Sequence, residues 1–275
     1  MPGLSDGRAH AAFGRAVSGY PGKATPCRST GQPDTSDHAK SIRGAFVLAF
    51  PLSGEYDAGK GVLTMLKLYW ADADRTEPID PALFSEYRRK KLEALRLEGP
   101  RRASACAERL LMEAVRREEP ERSFPLQIEA DAMGKPRLSD GGPCFNLSHT
   151  GHYAACAISG EALGLDIQTL SQGSEALIRR FFTEGEREFI RAAGDRDAAF
   201  TRLWCRKESF LKAIGLGLRL ELRSFDVSSL TAPVPYHGTA YAFRESRVAD
   251  LFFCVCAPEK LLSSLETLQP IRIDF

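Results

Sequence analysis

The sequence has no CxxC pair, and no His stands at finger-like spacing from any of its seven cysteines. A disulfide framework or structural zinc site is therefore not expected, and a reducing compartment suits the chain. It has no apolar run approaching the roughly 18 to 20 residues that span a bilayer. The short apolar stretch at 45–52 is too far from the N-terminus for a secretory signal. No GxxxxGK[ST] loop is present, which removes the common phosphate-cradling motif. Nor is charge of either sign in excess: 37 Lys plus Arg face 36 Asp plus Glu, for a formal net charge of +1 over 275 residues. Nucleic-acid binders normally carry strong basicity, so partners here must be recognised locally. Neither nucleic acid nor a membrane is an expected partner, and the cytoplasm is the expected location.

The 43% of hydrophobic residues suffices for a sizeable core. Residues 1–64 are rich in Gly, Ser, Pro, Thr and Ala with little periodicity, and are expected to be disordered or loosely attached. Their scattered Arg and few acids would also suit a transit peptide, but an amphipathic helix is lacking. From Met65 the pattern tightens, and that methionine is a candidate translation start. Alternation over 65–70 predicts a strand. Asp80-Pro81 predicts a capped helix running to Gly99-Pro100, and a second helix covers about 101–118. Strands follow at 126–130, 144–148 and 153–159.

The order then repeats. A strand at 163–168 precedes a helix near 174–182, a capping box at Thr183-Glu-Gly-Glu186 that starts another, a long helix over about 197–214 ending at Gly215, and strands near 225–229, 239–244 and 251–257. In the last of these Cys254 and Cys256 share one face and read as small core residues. Strands and helices in this order give an α+β protein. Its two similar halves, 65–161 and 162–275, place an active site naturally at their junction.

Three places carry chemistry. On the long helix, Trp204, Glu208 and Lys212 fall at successive i, i+4 positions along one stripe. A surface ion pair is the bland alternative, weakened because Leu203, Phe210, Leu211 and Ile214 mark the helix as packed. In Gly164-Leu-Asp166-Ile-Gln168, alternation projects Asp166 and Gln168 to one face, where a solvated strand face is the competing reading. Asp166 and Glu208 together could hold a hard cation such as Mg²⁺. Asn146-Leu-Ser-His149 leads from a strand into a tight turn carrying Ser148 and His149, which a structural turn explains nearly as well.

Taken in order, Gly134-Lys-Pro136, Asn146-Leu-Ser-His149, Gly164-Leu-Asp166, Phe181-Phe-Thr-Glu-Gly-Glu186 and Trp204-x-x-Lys-Glu208-Ser-x-x-Lys212 closely resemble the surfactin-type 4′-phosphopantetheinyl transferases over residues 65–275. The resemblance implies a pseudo-twofold fold of two similar halves, with antiparallel sheets, packed helices and coenzyme A in the cleft between them. It implies Mg²⁺-dependent transfer of the 4′-phosphopantetheine arm of coenzyme A to a serine of an acyl or peptidyl carrier protein, by an enzyme expected to act as a monomer. Asp166 and Glu208 would bind Mg²⁺, with Glu208 also the general base and Lys212 compensating charge on the leaving group. Lys135, Ser148 and His149 match positions that grip the phosphates of coenzyme A, and Arg102, or its neighbour Arg101, resembles an arginine used against the 3′-phosphate or adenine. The run Arg88-Arg-Lys-Lys91 falls near other basic contacts, or is simply a solvated face. Gln168 departs from the pattern, since many relatives carry Glu there as a third metal ligand. It is the only feature favouring the alternative, a non-catalytic coenzyme A or carrier-binding module of the same fold. Arg179, Arg180, Arg187 and Arg191 are expected to face an acidic carrier.

Overall fold

The computed structural model describes residues 66–275, so the expectations for residues 1–64 and for Met65 lie outside the described residues. Two four-stranded sheets carry the fold. The first is built from β1 (Lys67–Asp72), β4 (Cys144–Thr150), β5 (Tyr153–Ser159) and β10 (Pro270–Arg272), in the order β10-β1-β5-β4. The second is built from β6 (Gly164–Thr169), β7 (Val234–Tyr236), β8 (Thr239–Val248) and β9 (Leu251–Pro258), in the order β6-β9-β8-β7. A small hairpin of β2 (Ile128–Ala130) and β3 (Pro136–Leu138) stands apart. Pairing is antiparallel except between β10 and β1, where Leu68 lies against Pro270 in parallel. The α+β class is as expected, although residues 270–272 return to the first sheet and so cross the anticipated boundary between halves.

The helices are α1 (Glu86–Ala94), α2 (Glu98–Glu118), α3 (Glu175–Phe181), α4 (Glu184–Ala192), α5 (Arg196–Ile214) and the short α6 (Glu259–Leu262). Tyr69, Ala71, Ala154, Cys156 and Ile158 pack with Ala103, Leu110 and Leu111 of α2 in one core. Leu68, Trp70, Ala155 and Ala157, from the opposite face of the same strands, pack with Leu165, Ile167, Phe253 and Val255 of the second sheet in another. A sheet covered on both faces needs no polar side, which is why β5 reads Ala-Ala-Cys-Ala-Ile without alternation. Cys254 and Cys256 are fully buried core residues, as expected.

Local signals placed most boundaries. The capping box at Thr183 and Glu186 starts α4, and Gly215, at φ 74°, ends α5 in the left-handed conformation that glycine adopts without strain. Two expectations need correction. Asp80 caps only a 3₁₀ turn at Pro81–Leu83; α1 starts one turn later behind Ser85, and α2 begins before Pro100, whose missing N–H costs nothing in a first turn. Residues 225–229 form no strand, because their carbonyls go to buried side chains of α5.

Gly164 decides how closely α5 sits on β6. A Cβ there would lie 2.0 Å from the Ser209 carbonyl oxygen and 2.3 Å from the Ala213 nitrogen, both backbone atoms that cannot swing aside. Gly164→Ala is therefore expected to destabilise by about 3 kcal/mol, the upper end for overpacking. Gly99→Ala, in open space on α2, should cost nothing and add up to about 1 kcal/mol. Urea unfolding of the two variants checks the contrast; equal midpoints would show that α5 can slide off β6 freely.

Candidate active site

The two sheets meet at β4 and β6, each an edge strand of its own sheet. Residues Asn146 and Ser148, two apart and hence on one face of β4, reach across this seam. The Asn146 Oδ1 accepts the Leu165 N–H at 2.8 Å and the Ser148 Oγ accepts the Ile167 N–H at 3.2 Å. Side chains thus satisfy two edge amides that would otherwise be buried without partners. Between those amides sits Asp166, only 3% exposed.

Asp166 is the hub. Its Oδ1 accepts from Lys212 Nζ at 2.6 Å and from Ser148 Oγ at 3.0 Å, and its Oδ2 accepts from the Gln168 amide at 2.8 Å. Lys212 also donates to Ser148 Oγ at 3.0 Å. The Ser148 hydroxyl therefore uses its one proton and both lone pairs within the protein. Glu208, one turn before Lys212 on α5, is half-buried beside this group. Burial, then the negative charge of Asp166, push its pKa up to about 7, while Lys212 opposes the shift. For Lys212, burial lowers the pKa, but Asp166 and Glu208 outweigh it and the ammonium is held above its ordinary value.

His149 stands at the exposed rim of the group, next to Ser148 on β4. Desolvation, followed by the positive charges of Lys212, Arg88 and Lys91, holds its pKa down to about 4. The ring is neutral at pH 7 and can serve as a hydrogen-bond donor without adding charge. Trp204, on the same helix stripe, points away into an aromatic cluster: it stacks on Phe200, and Phe181 and Phe182 close around it. The Phe181-Phe182 pair thus packs on the Trp204 turn of α5.

Asp166, Gln168, Ser148, Glu208 and Lys212 are brought together; two other candidates are not. The Lys135 ammonium donates to the carbonyls of Leu163 at 2.9 Å and Ala213 at 2.8 Å, tying the β2–β3 hairpin to the last turn of α5. Burial lowers its pKa to about 8. Arg102 turns to the Ala73 carbonyl and pairs with Asp74 at 3.0 Å, while Arg101 is exposed. The run beginning at Arg88 is not a uniformly solvated face: Arg88 is buried, donating to Glu108 at 2.9 Å and to Ser104 at 2.6 Å, while Lys91 lies over the Tyr87 ring. Asn146 carries a role that its motif alone does not reveal, capping the Leu165 amide, and its alternation with Ser148 on one face of β4 is the signal for it in the sequence.

The donor set suits one hard divalent cation. Asp166 and Glu208 are neighbouring carboxylates, the Glu208 pKa being raised by burial first and by the charge of Asp166 second, and Gln168 adds an amide whose nitrogen is engaged by Asp166. Among the described residues no group of three or more His, Cys, Asp or Glu is placed to hold a metal, so the remaining ligands would be water and phosphate oxygens. Further round the second half, Arg179, Arg187, Arg191 and Arg196 line a hollow of about 320 Å³ with Glu175. Arg180 instead lies against Phe181. Arg196 pairs with Glu175 and Arg187 with Glu184, while Arg179 and Arg191 make no ion pair among the described residues.

Residues 162–254 match the model of the 4′-phosphopantetheinyl transferase superfamily. The Sfp 4′-phosphopantetheinyl transferase of Bacillus subtilis (strain 168) is 36% identical over 106 residues, covering 37% of this chain and 47% of that protein. Its Bacillus subtilis relative ffp is 32% identical over 122 residues, 42% of this chain and 54% of that protein. The human L-aminoadipate-semialdehyde dehydrogenase-phosphopantetheinyl transferase is 34% identical over 166 residues, 49% of this chain and 54% of that protein. The chain thus spans about half the length of these relatives. Asp166, Gln168, Glu208 and Lys212 all lie inside the stretch matched by the family model, and over that stretch the chain is similar to the 4′-phosphopantetheinyl transferases.

Proposed function

We propose that the chain transfers the 4′-phosphopantetheine arm of coenzyme A to a serine hydroxyl of an acyl or peptidyl carrier protein, as a cytoplasmic, Mg²⁺-dependent, monomeric enzyme of pseudo-twofold design. The observation that supports it most is the convergence of Asp166, Glu208 and Lys212 from β6 and α5, with Ser148 and His149 beside them from β4. The serine oxygen forms a bond to the pantetheine-side phosphorus as the bond to the bridging oxygen breaks, and adenosine 3′,5′-bisphosphate leaves. Glu208, with its pKa near neutrality, takes the serine proton. Lys212, held as an ammonium, compensates charge growing on the departing phosphate. His149 offers a neutral donor to a phosphate oxygen at the rim. Lys135 serves by fixing the hairpin on the end of α5, and Arg102 lies further out, toward the 3′-phosphate and adenine. Asp166, Glu208 and Gln168 would hold Mg²⁺, which supplies neutralisation of the pyrophosphate.

Incubation with coenzyme A, Mg²⁺ and an apo carrier protein, followed by intact mass measurement, should show the carrier gaining one phosphopantetheine. Glu208→Ala should lower kcat by about 10² to 10⁴-fold, the usual worth of a positioned acid or base. Several diverse carriers gaining no mass would leave only the binding-module reading.

The metal is tested without turnover. A carboxyl raised from 4.5 to about 7 on folding stabilises below its unfolded pKa, and that contribution is lost as pH rises through the window between the two values. A cation bound to ionised Glu208 reverses the loss, so Mg²⁺ should raise the Tm more at pH 8 than at pH 5.5. Gln168→Glu should enlarge that shift by adding a charge. A Mg²⁺ effect independent of pH and of Gln168→Glu would remove both residues from the metal site.

Because carrier proteins are commonly acidic around the modified serine, the arginine-lined hollow is the proposed docking rim. Reversing Arg179 and Arg191 together to Glu should raise the KM for carrier about tenfold, equivalent to about 1.4 kcal/mol, and leave that for coenzyme A unchanged. Equal changes for both substrates would point to loss of fold rather than of docking.

A further inference from the structure

The segment 222–228, between α5 and β7, has irregular backbone apart from one 3₁₀ turn at Leu222–Ser224, and side chains take four of its carbonyls. Lys207 Nζ donates to the carbonyls of Leu222 at 2.6 Å and Phe225 at 3.0 Å. Arg206 Nη1 donates to those of Val227 at 2.6 Å and Ser228 at 2.9 Å. The Val227 N–H donates to Glu186 Oε1 at 2.8 Å, and the other Glu186 oxygen accepts from Lys207 at 2.8 Å while closing the capping box of α4. Glu186 and Lys207 are both 0% exposed, and Arg206 is 1% exposed and paired with Glu245 on β8. Two consecutive cations of α5, separated by about 100° around its axis, therefore grip one segment. The next residue is Glu208.

A helix held at two points around its circumference cannot roll. The distance matters because a side-chain group lies about 5 to 6 Å from a helix axis, so a roll of about 20° would move it by about 2 Å. A misplacement of about 1 Å can cost about 10²-fold in rate. We propose that segment 222–228 is a buttress that sets the rotation of α5, and that Arg206 and Lys207 are positioning residues which, through it, aim Glu208 and Lys212 at Asp166. The kinetic part rests on Glu208 acting as proposed above; the geometric part does not.

The test is the double variant Glu186→Gln/Lys207→Met, which removes the Lys207 point of the grip, leaving α5 held by Arg206 alone, without leaving a buried charge unpaired. Two measurements are made: kcat and KM per folded molecule, well below the Tm, and the rotation of α5 in a crystal structure of the variant. The expected result is a kcat lowered about 10²-fold, a KM for coenzyme A within twofold of wild type, and Glu208 displaced by at least about 1 Å. A variant with lowered Tm but unchanged kcat, or with lowered kcat and α5 unrotated, would overturn the proposal. Where the double variant does not fold, Glu186→Gln/Lys207→Gln, which likewise leaves no buried charge unpaired but keeps a donor for the Leu222 carbonyl, is measured in the same way; a smaller rotation of α5 with a smaller loss of kcat is expected, and a loss of kcat without rotation would overturn the proposal. A wild-type protein without transferase activity would refute the function and leave the rotation of α5 as the deciding observation for the buttress.

Discussion

Everything at the site depends on two sheet edges meeting without forming a ladder. Had β4 and β6 hydrogen-bonded as neighbours, their backbones would lie about 4.8 Å apart and close the space between them. Instead Asn146 and Ser148 reach the β6 amides by side chain, which keeps the strands apart and satisfies the buried donors. Asp166 occupies the interval so created. Lys212 can then descend from α5 onto a carboxylate contributed by one half and a hydroxyl contributed by the other. The same spacing requires α5 to lie close on β6, which is the reason for glycine at 164.

The electrostatics follow from that geometry. Asp166 is surrounded by donors on both oxygens, while Glu208 is desolvated beside it, and burial followed by the charge of Asp166 brings the Glu208 carboxyl up to about 7. A group so placed can exchange a proton near neutrality. A net charge of +1 conceals the arrangement, since Asp166 of β6 and Glu208 of α5 share one cavity with Lys212, while Arg88 and Lys91 of α1 lend positive charge to the rim at His149.

How far the sequence could be read divides along the range of the interaction involved. The capping box at Thr183 and the glycine stop at 215 are settled within a few residues, and both were legible. Asp166 with Gln168 and Glu208 with Lys212 were legible as two motifs, each through its own periodicity, whereas the bond between Asp166 and Lys212 joins residues 46 positions apart and was not. The segment 225–229 alternates like a strand, yet its carbonyls are claimed by Arg206 and Lys207, whose own sequence context is merely that of a helix. Lys135 and Arg88 mislead for the same reason: a cation in a motif advertises a charge but not the carbonyl or carboxylate that awaits it in three dimensions.

The parallel strand β10 bears on synthesis. The chain contributes β1 early and β10 about 200 residues later, and until Pro270–Arg272 is available the outer margin of β1 has no partner on that side. During vectorial production a nascent first half therefore exposes an unfinished edge, the kind of surface that invites pairing with another chain. The second sheet, complete from residues 164–258, has no such wait. The sheet that carries Asp166 is thus the one able to finish first, and closure of the other is the late, long-range step in forming the molecule.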